Sequence, residues 1–120
     1  ADLAELLNPA LRDNAYFGVH DRENHLIGYF SFRKREQRAL EIGLGLRPER
    51  TGQGLGGAFL RAGLDYARSR FEPTEFVLSV ATFNERAITV YERAGFAPVR
   101  VYMHSTNGGD WEFVEMRRPA

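Results

Sequence analysis

One segment narrows the folds open to this chain more than any other: Leu44-Gly45-Leu46-Arg47-Pro48-Glu49-Arg50-Thr51-Gly52-Gln53-Gly54-Leu55-Gly56-Gly57. An apolar, strand-like run is broken at Arg47-Pro48. Four glycines then fall within six residues, and Phe59, Leu60, Gly63, Leu64 and Ala67 follow at helical spacing. Strand, glycine-rich turn and helix together make an anion cradle. The glycines let backbone approach an anion with no Cβ in the way, and the free N–H groups and dipole of the first helical turn favour negative charge. Glycines packed this densely cost chain entropy and return nothing in packing, so the segment is read as a phosphate or pyrophosphate site.

The surrounding pattern supplies the frame. Tyr16 to His20 and Leu26 to Phe32 read as a hairpin about the Asp21-Arg22-Glu23-Asn24 turn, with Gly28, Phe30 and Phe32 alternating against Ile27, Tyr29 and Ser31. A third strand runs from Ala39 to Leu46, and its Gly43 and Gly45 predict a bulge or a close approach by another backbone or a ligand. The helix after Gly57 reaches about Arg70. Phe76 to Val80 is a buried strand, and Asn84 caps a second helix that Gly95 ends. Val99 to Ser105 and Trp111 to Arg117 form a last hairpin around Asn107-Gly108-Gly109. A short helix carrying Leu3, Leu6 and Leu7 is expected before Asn8-Pro9. The fold class is therefore α/β, layered as α+β: one mixed sheet with helices packed on it, in a single domain over residues 1–120.

Composition excludes more than it assigns. Sixteen basic and sixteen acidic residues leave no net charge, so no nucleic-acid partner and no membrane partner is expected. Arg33, Lys34, Arg35 and Arg38 form a local basic run, read as a solvated loop. With no cysteine, thiolate chemistry is excluded and a cytoplasmic location is expected. His20 and His104 stand singly, no metal-ligand spacing is evident, and no metal is expected. Trp111, Tyr102, Phe113 and Met103 are read as core packing, and the terminal hairpin as an edge for a homodimer.

Several phosphate ligands compete for the glycine turn. Gly52, Gly54 and Gly57 satisfy G-x-G-x-x-G, but five residues separate them from the strand, and the next strand ends at Ala81-Thr82-Phe83-Asn84 without an acidic residue. A nucleotide P-loop would need a Gly-Lys-Ser/Thr ending, which is absent. The remaining candidate is the pyrophosphate of coenzyme A.

A second block decides among them. Thr51-Gly52-Gln53-Gly54-Leu55-Gly56 resembles the Arg/Gln-x-x-Gly-x-Gly/Ala pyrophosphate motif of the GNAT acetyltransferase superfamily, with Thr51 at the position of Arg or Gln and Arg50 one residue early. Asn84, Ala87, Tyr91 and Gly95-Phe96 resemble that family's second signature, in the expected order and separation. The resemblance runs from Tyr16 to the C-terminus, and the family's N-terminal strand and helices are largely absent. It implies a mixed, mostly antiparallel sheet flanked by helices, acetyl-CoA as cosubstrate, and direct acetyl transfer to a primary amine of an acceptor that the sequence does not name. Backbone N–H groups of Gln53, Gly54, Leu55, Gly56 and Gly57 would hold the pyrophosphate, with Thr51 and Gly52 opening the turn. Leu44 to Leu46 would pair with the pantetheine arm, and the Leu46 N–H would polarise the thioester. Asn84 and Ala87 would contact the coenzyme, and Tyr91 would protonate the departing thiolate. Glu41, on the third strand, is the candidate base for the amine. The alternative reading is a coenzyme A-binding sensor or structural domain without turnover.

Overall fold

The computed structural model describes residues 14–46, 56–106 and 108–120. Among them six strands and two helices follow in the order β1 (Asn14–His20), β2 (Leu26–Lys34), β3 (Ala39–Leu46), α1 (Gly56–Phe71), β4 (Glu75–Ala81), α2 (Glu85–Arg93), β5 (Ala97–Thr106) and β6 (Gly109–Pro119). A single 3-10 turn, Glu36–Arg38, links β2 to β3. The strands form one sheet in the order β1-β2-β3-β4-β6-β5. Only β3 and β4 are parallel, since α1 crosses between them; every other pairing is antiparallel. The mixed, mostly antiparallel α/β architecture expected from the sequence is thus the one observed. The expected helix before Asn8-Pro9 and the Thr51-Gly52-Gln53-Gly54-Leu55 stretch lie outside the described residues.

The core follows from strand alternation. Phe30, Phe32, Leu40, Ile42, Phe76, Leu78, Val114 and Met116 face one side of the sheet and pack on Phe59, Leu60, Leu64 and Ala67 of α1. Gly63 makes that packing possible, because a Cβ there would overlap the ring of Phe30. The glycines inside β3 have a related cause. A Cβ at Gly43 would strike the Ser31 hydroxyl, and one at Gly45 would strike the Tyr29 ring. The crowding there comes from neighbouring β2 side chains, and the β2–β3 register runs without a bulge from Gly28↔Leu46 to Lys34↔Leu40.

The last hairpin departs from expectation. Tyr102, Phe113 and Trp111 share the face of β5 and β6 turned away from the core, and Met103, on the other face, lies on the edge strand; Met103 and Trp111 are exposed and Tyr102 and Phe113 half-buried. No helix among the described residues is long and apolar enough to cross a membrane.

Candidate active site

The sheet is open at its centre. β3 and β4 pair only at Ala39↔Glu75, Leu40↔Phe76 and Glu41↔Val77. Beyond that point β3 continues to Leu46 held by β2, and β4 continues to Ala81 held by β6. Each strand keeps its outer neighbour while the two diverge. The inner backbone edge of β3 past Glu41 therefore lacks a strand partner among the described residues, and a ligand can add there as a strand would.

A cleft of about 790 Å³ occupies this gap on the helix-covered face. Leu44 and Gly45 form its β3 wall, Gly56, Gly57 and Arg61 its α1 wall, and Asn84, Arg86, Ala87, Tyr91 and Arg93 its α2 wall. The α1 N-terminus thus opens into the cleft where a polyphosphate would be expected. Arg61, Arg86 and Arg93 line it and, among the described residues, no carboxylate does, a charge balance suited to a phosphorylated ligand. The sequence reading missed these three arginines. Their signal was the seven-residue spacing of Arg86 and Arg93 along one helix, which is uninformative until the cleft is known.

The second motif explains how Tyr91 is held. Asn84 caps α2 by accepting a hydrogen bond from the Ala87 N–H through Oδ1 at 3.2 Å. At the other end Phe96 N–H donates to the Tyr91 carbonyl and Gly95 N–H to the Glu92 carbonyl, both at 3.0 Å. This is a Schellman cap, and it requires the left-handed backbone of Gly95 (φ +98°). Phe96 is buried, and its ring meets Tyr91 edge-on at 6.2 Å. Gly95-Phe96 therefore fixes the ring that lines the cleft. Burial pushes the Tyr91 hydroxyl above the ordinary tyrosine range, and Tyr29 adds to the rise, so it stays protonated at neutral pH.

Of the residues singled out in the sequence, the cleft collects Leu44, Gly56, Gly57, Asn84, Ala87 and Tyr91. Leu46 ends β3 beside them. Glu41 stands apart, facing the opposite side of the sheet, where a shallow bowl of about 550 Å³ lies over the point at which β3 and β4 part. Its Oε1 accepts from Arg35 Nη1 at 3.0 Å and faces Arg33 Nη2 at 3.2 Å, so part of the basic run expected to be free in solvent is committed to Glu41. Ser79, Tyr102, His104, Phe113 and Glu115 complete the bowl with Arg100. Glu115 is buried. Burial alone would raise its carboxyl, but hydrogen bonds and charge from Arg117 and Arg100 outweigh that and hold it below the usual carboxylate range.

The model of the acetyltransferase (GNAT) domain family matches residues 2–97. The spermidine N(1)-acetyltransferase of Vibrio cholerae is 31% identical over 99 residues, 79% of this chain and 57% of that protein. A mycothiol acetyltransferase of Streptomyces avermitilis is 38% identical over 87 residues, 71% of this chain but 28% of that protein. The chain thus spans about half or less of the length of these relatives. Among solved structures, spermidine N-acetyltransferase from Vibrio cholerae in complex with CoA and spermine superposes with a TM-score of 0.81 at 25% identity, covering 98% of this chain and 73% of that one.

Two expectations are corrected. Spermidine/spermine N-acetyltransferase from Vibrio cholerae has been solved in complex with manganese ions (TM-score 0.79, 24% identity, covering 90% of this chain and 66% of that one). In the present chain Asp21, Glu23 and His25 bring their ligand atoms within 4.8 Å of one another, so the expectation of no metal does not stand. The trio was missed because sequence alternation separates these residues. The turn gathers them instead, with Glu23 and His25 N–H both donating to Asp21 Oδ1 at 2.9 Å. Two carboxylates and an imidazole form a donor set that first-row divalent ions accept. The expectation of a simple homodimer is likewise overturned: the spermidine N-acetyltransferase of Vibrio cholerae is dodecameric in one structure (TM-score 0.79, 24% identity, the same coverage). One sheet edge can close a two-fold pair, whereas twelve subunits require further kinds of interface.

Proposed function

Because this chain belongs to the GNAT acetyltransferase family, we propose that it binds acetyl-CoA in the cleft between β3 and β4 and transfers the acetyl group directly to an amine. The observation that carries this reading is the joining of three features in one cleft: a helix N-terminus beside three arginines, a strand edge without a partner among the described residues, and a half-buried, protonated tyrosine.

The steps follow from the chemistry. Gly56 and Gly57, with Thr51, Gly52, Gln53, Gly54 and Leu55, receive the pyrophosphate on backbone N–H groups, and the arginines neutralise it. The pantetheine arm adds along Leu44 to Leu46, and the Leu46 N–H stabilises the oxyanion as the amine nitrogen attacks the thioester carbonyl. As the C–S bond breaks, Tyr91 gives its proton to the departing thiolate. The proton lost by the amine passes through water to Glu41. Both guanidiniums hold Glu41 by Oε1, and no described residue hydrogen-bonds Oε2. The spermidine acetyltransferase likeness makes a primary amine the first acceptor class to try. The same clamp on Glu41 favours the second reading, a coenzyme-binding domain without turnover.

Titration calorimetry with acetyl-CoA, with NAD as control, tests binding. Gly56 has room for a side chain, its Cβ position lying 3.5 Å from Val90, so Gly56→Glu puts a carboxylate in the anion's place without breaking the fold. Acetyl-CoA binding that the variant loses is expected; equal binding by both proteins would remove the pyrophosphate from this turn. Thiol release in an amine screen then separates enzyme from sensor.

A further inference from the structure

The acceptor side of the gap has a charge arrangement of its own. Bowl and cleft meet the β3–β4 gap from opposite faces, since Glu41 and Ser79 line the bowl near the point where pairing ends while Leu44 lines the cleft. Around the bowl four arginines meet four glutamates: Arg33, Arg35, Arg100 and Arg117 with Glu36, Glu41, Glu75 and Glu115. The total is balanced, but the exposure is not. Inside the bowl Glu115 is 5% exposed and Glu41 30%, whereas Arg33 and Arg100 on its rim are 53% and 57% exposed. Glu36 and Glu75 lie outside the lining. Glu115, Glu41 and Arg35 (23% exposed) are held inward, while the Arg33 and Arg100 guanidiniums turn to solvent.

Each carboxylate of the bowl already carries two guanidiniums. Glu115 accepts from Arg100 at 3.2 Å and Arg117 at 2.8 Å, and Glu41 is held by Arg33 and Arg35. Glu41 can serve the one reacting amine through Oε2, but among the described residues of the bowl no further carboxylate remains for a second ammonium. The floor is aromatic: Tyr102 stacks on Phe113 at 6.0 Å, His104 meets Phe113 at 5.5 Å, and the Arg100 guanidinium lies over the Tyr102 ring at 4.6 Å. A planar apolar group fits that floor, and exposed guanidiniums bind oxyanions.

We infer that the acceptor is an amine bearing an oxyanion, a carboxylate or a phosphate, rather than a polyamine. This rests on the proposed function and deepens it. The test uses matched acceptors with saturating acetyl-CoA and thiol release as readout: L-phenylalanine against L-phenylalaninamide for carboxylate, O-phosphoethanolamine against ethanolamine for phosphate, and spermidine. Amidation also makes the α-amine easier to deprotonate, which works against the expected result. The anionic member of at least one pair is expected to lead by about tenfold in kcat/KM, with spermidine slowest. Arg33→Gln and Arg100→Gln, each leaving a second arginine on the glutamate concerned, should bring the anionic-to-neutral ratio of kcat/KM within each pair to about one. A spermidine rate matching the anionic acceptors, or variants that slow both members of a pair alike, would overturn the inference.

Calorimetric titration of N-acetyl-L-phenylalanine against its amide reads the bowl without turnover. If acetyl-CoA binds but the anionic ligand shows no advantage, this inference fails and the proposed function stands. If acetyl-CoA does not bind, the proposed function fails, and a preference for the anion still supports the charge reading of the bowl.

Discussion

The two faces of the sheet at the β3–β4 gap are built in opposite ways. On the helix face the cleft takes most of its wall from two stretches, the start of α1 and the whole of α2, and its ring of interest is fixed by the Asn84 and Gly95 caps of one nine-residue helix. On the other face the bowl draws Arg33, Glu41, Ser79, Arg100 and Glu115 from β2 to β6, brought together only by strand register and joined by ion pairs. The first site is positioned by local backbone geometry. The second is positioned by long-range pairing and electrostatics. Changes on the helix face should therefore act on chemistry and coenzyme, and changes on the far face on acceptor choice and pH-dependent stability.

The largest expected effect tests that division on the helix face. Tyr91→Phe should lower kcat about 100-fold, the lower end of what a general acid supplies, with the acetyl-CoA dissociation constant unchanged. In the parent protein the alkaline limb of the rate profile should lie above the ordinary tyrosine range, because the Tyr91 pKa is raised. A limb that survives Tyr91→Phe unaltered would assign the acid to another group.

A pair of glycines sharpens the contrast next. A methyl at Gly63 overlaps Phe30, which is 4% exposed, and one at Gly45 overlaps Tyr29, which is 48% exposed. Overpacking at Gly63→Ala should cost about 2–3 kcal/mol, read by urea unfolding, since Phe30 has nowhere to go. Gly45→Ala should cost less than about 1 kcal/mol because the Tyr29 ring can swing outward. Equal losses would mean that the far face is as closely packed as the core.

Much of the helix face could be read in the sequence, and the reason is locality. Gly56, Gly57, Asn84, Tyr91 and Gly95-Phe96 each announce a turn, cap or ring through spacing along a single segment. The bowl was not legible. Arg33 and Arg35 look like a solvated run until register sets them beside Glu41, and nothing in Glu115 alone foretells Arg100 or Arg117. Gly43 and Gly45 signalled crowding but not its source: in place of a bulge, a backbone or a ligand, the groups that a Cβ would strike are the Ser31 and Tyr29 side chains of a neighbouring strand whose register was unknown.

Glu115 offers the next test. Replacing it with Gln leaves Arg100 without its carboxylate and Arg117 with Glu75 as its one close partner at 2.8 Å, at an expected cost of about 2 kcal/mol near neutral pH. Its folded-state pKa is depressed, so its stabilisation is present above the ordinary carboxylate range and is lost as pH falls through the folded value. The gap between parent and Glu115→Gln in urea melts should therefore narrow in acid; a gap independent of pH would contradict the ion-pair account. The smallest effect belongs to the cap. Gly95→Ala, forced into a left-handed backbone, should lose about 1 kcal/mol by thermal melt.

The three-pair junction between β3 and β4 also has a meaning in time. Residues 14–46 supply β1-β2-β3 as consecutive antiparallel strands, and residues 75–119 supply β4, β6 and β5, so each half of the sheet is drawn from one unbroken stretch of chain. As the chain leaves the ribosome, the first half holds all its own partners before the second has been made. The short parallel seam from Ala39↔Glu75 and the β4–β6 pairing from Glu75↔Pro119 to Ala81↔Phe113 both wait for distant segments to meet, but only the seam joins the two halves, and such non-local closure is the slow step that topology imposes.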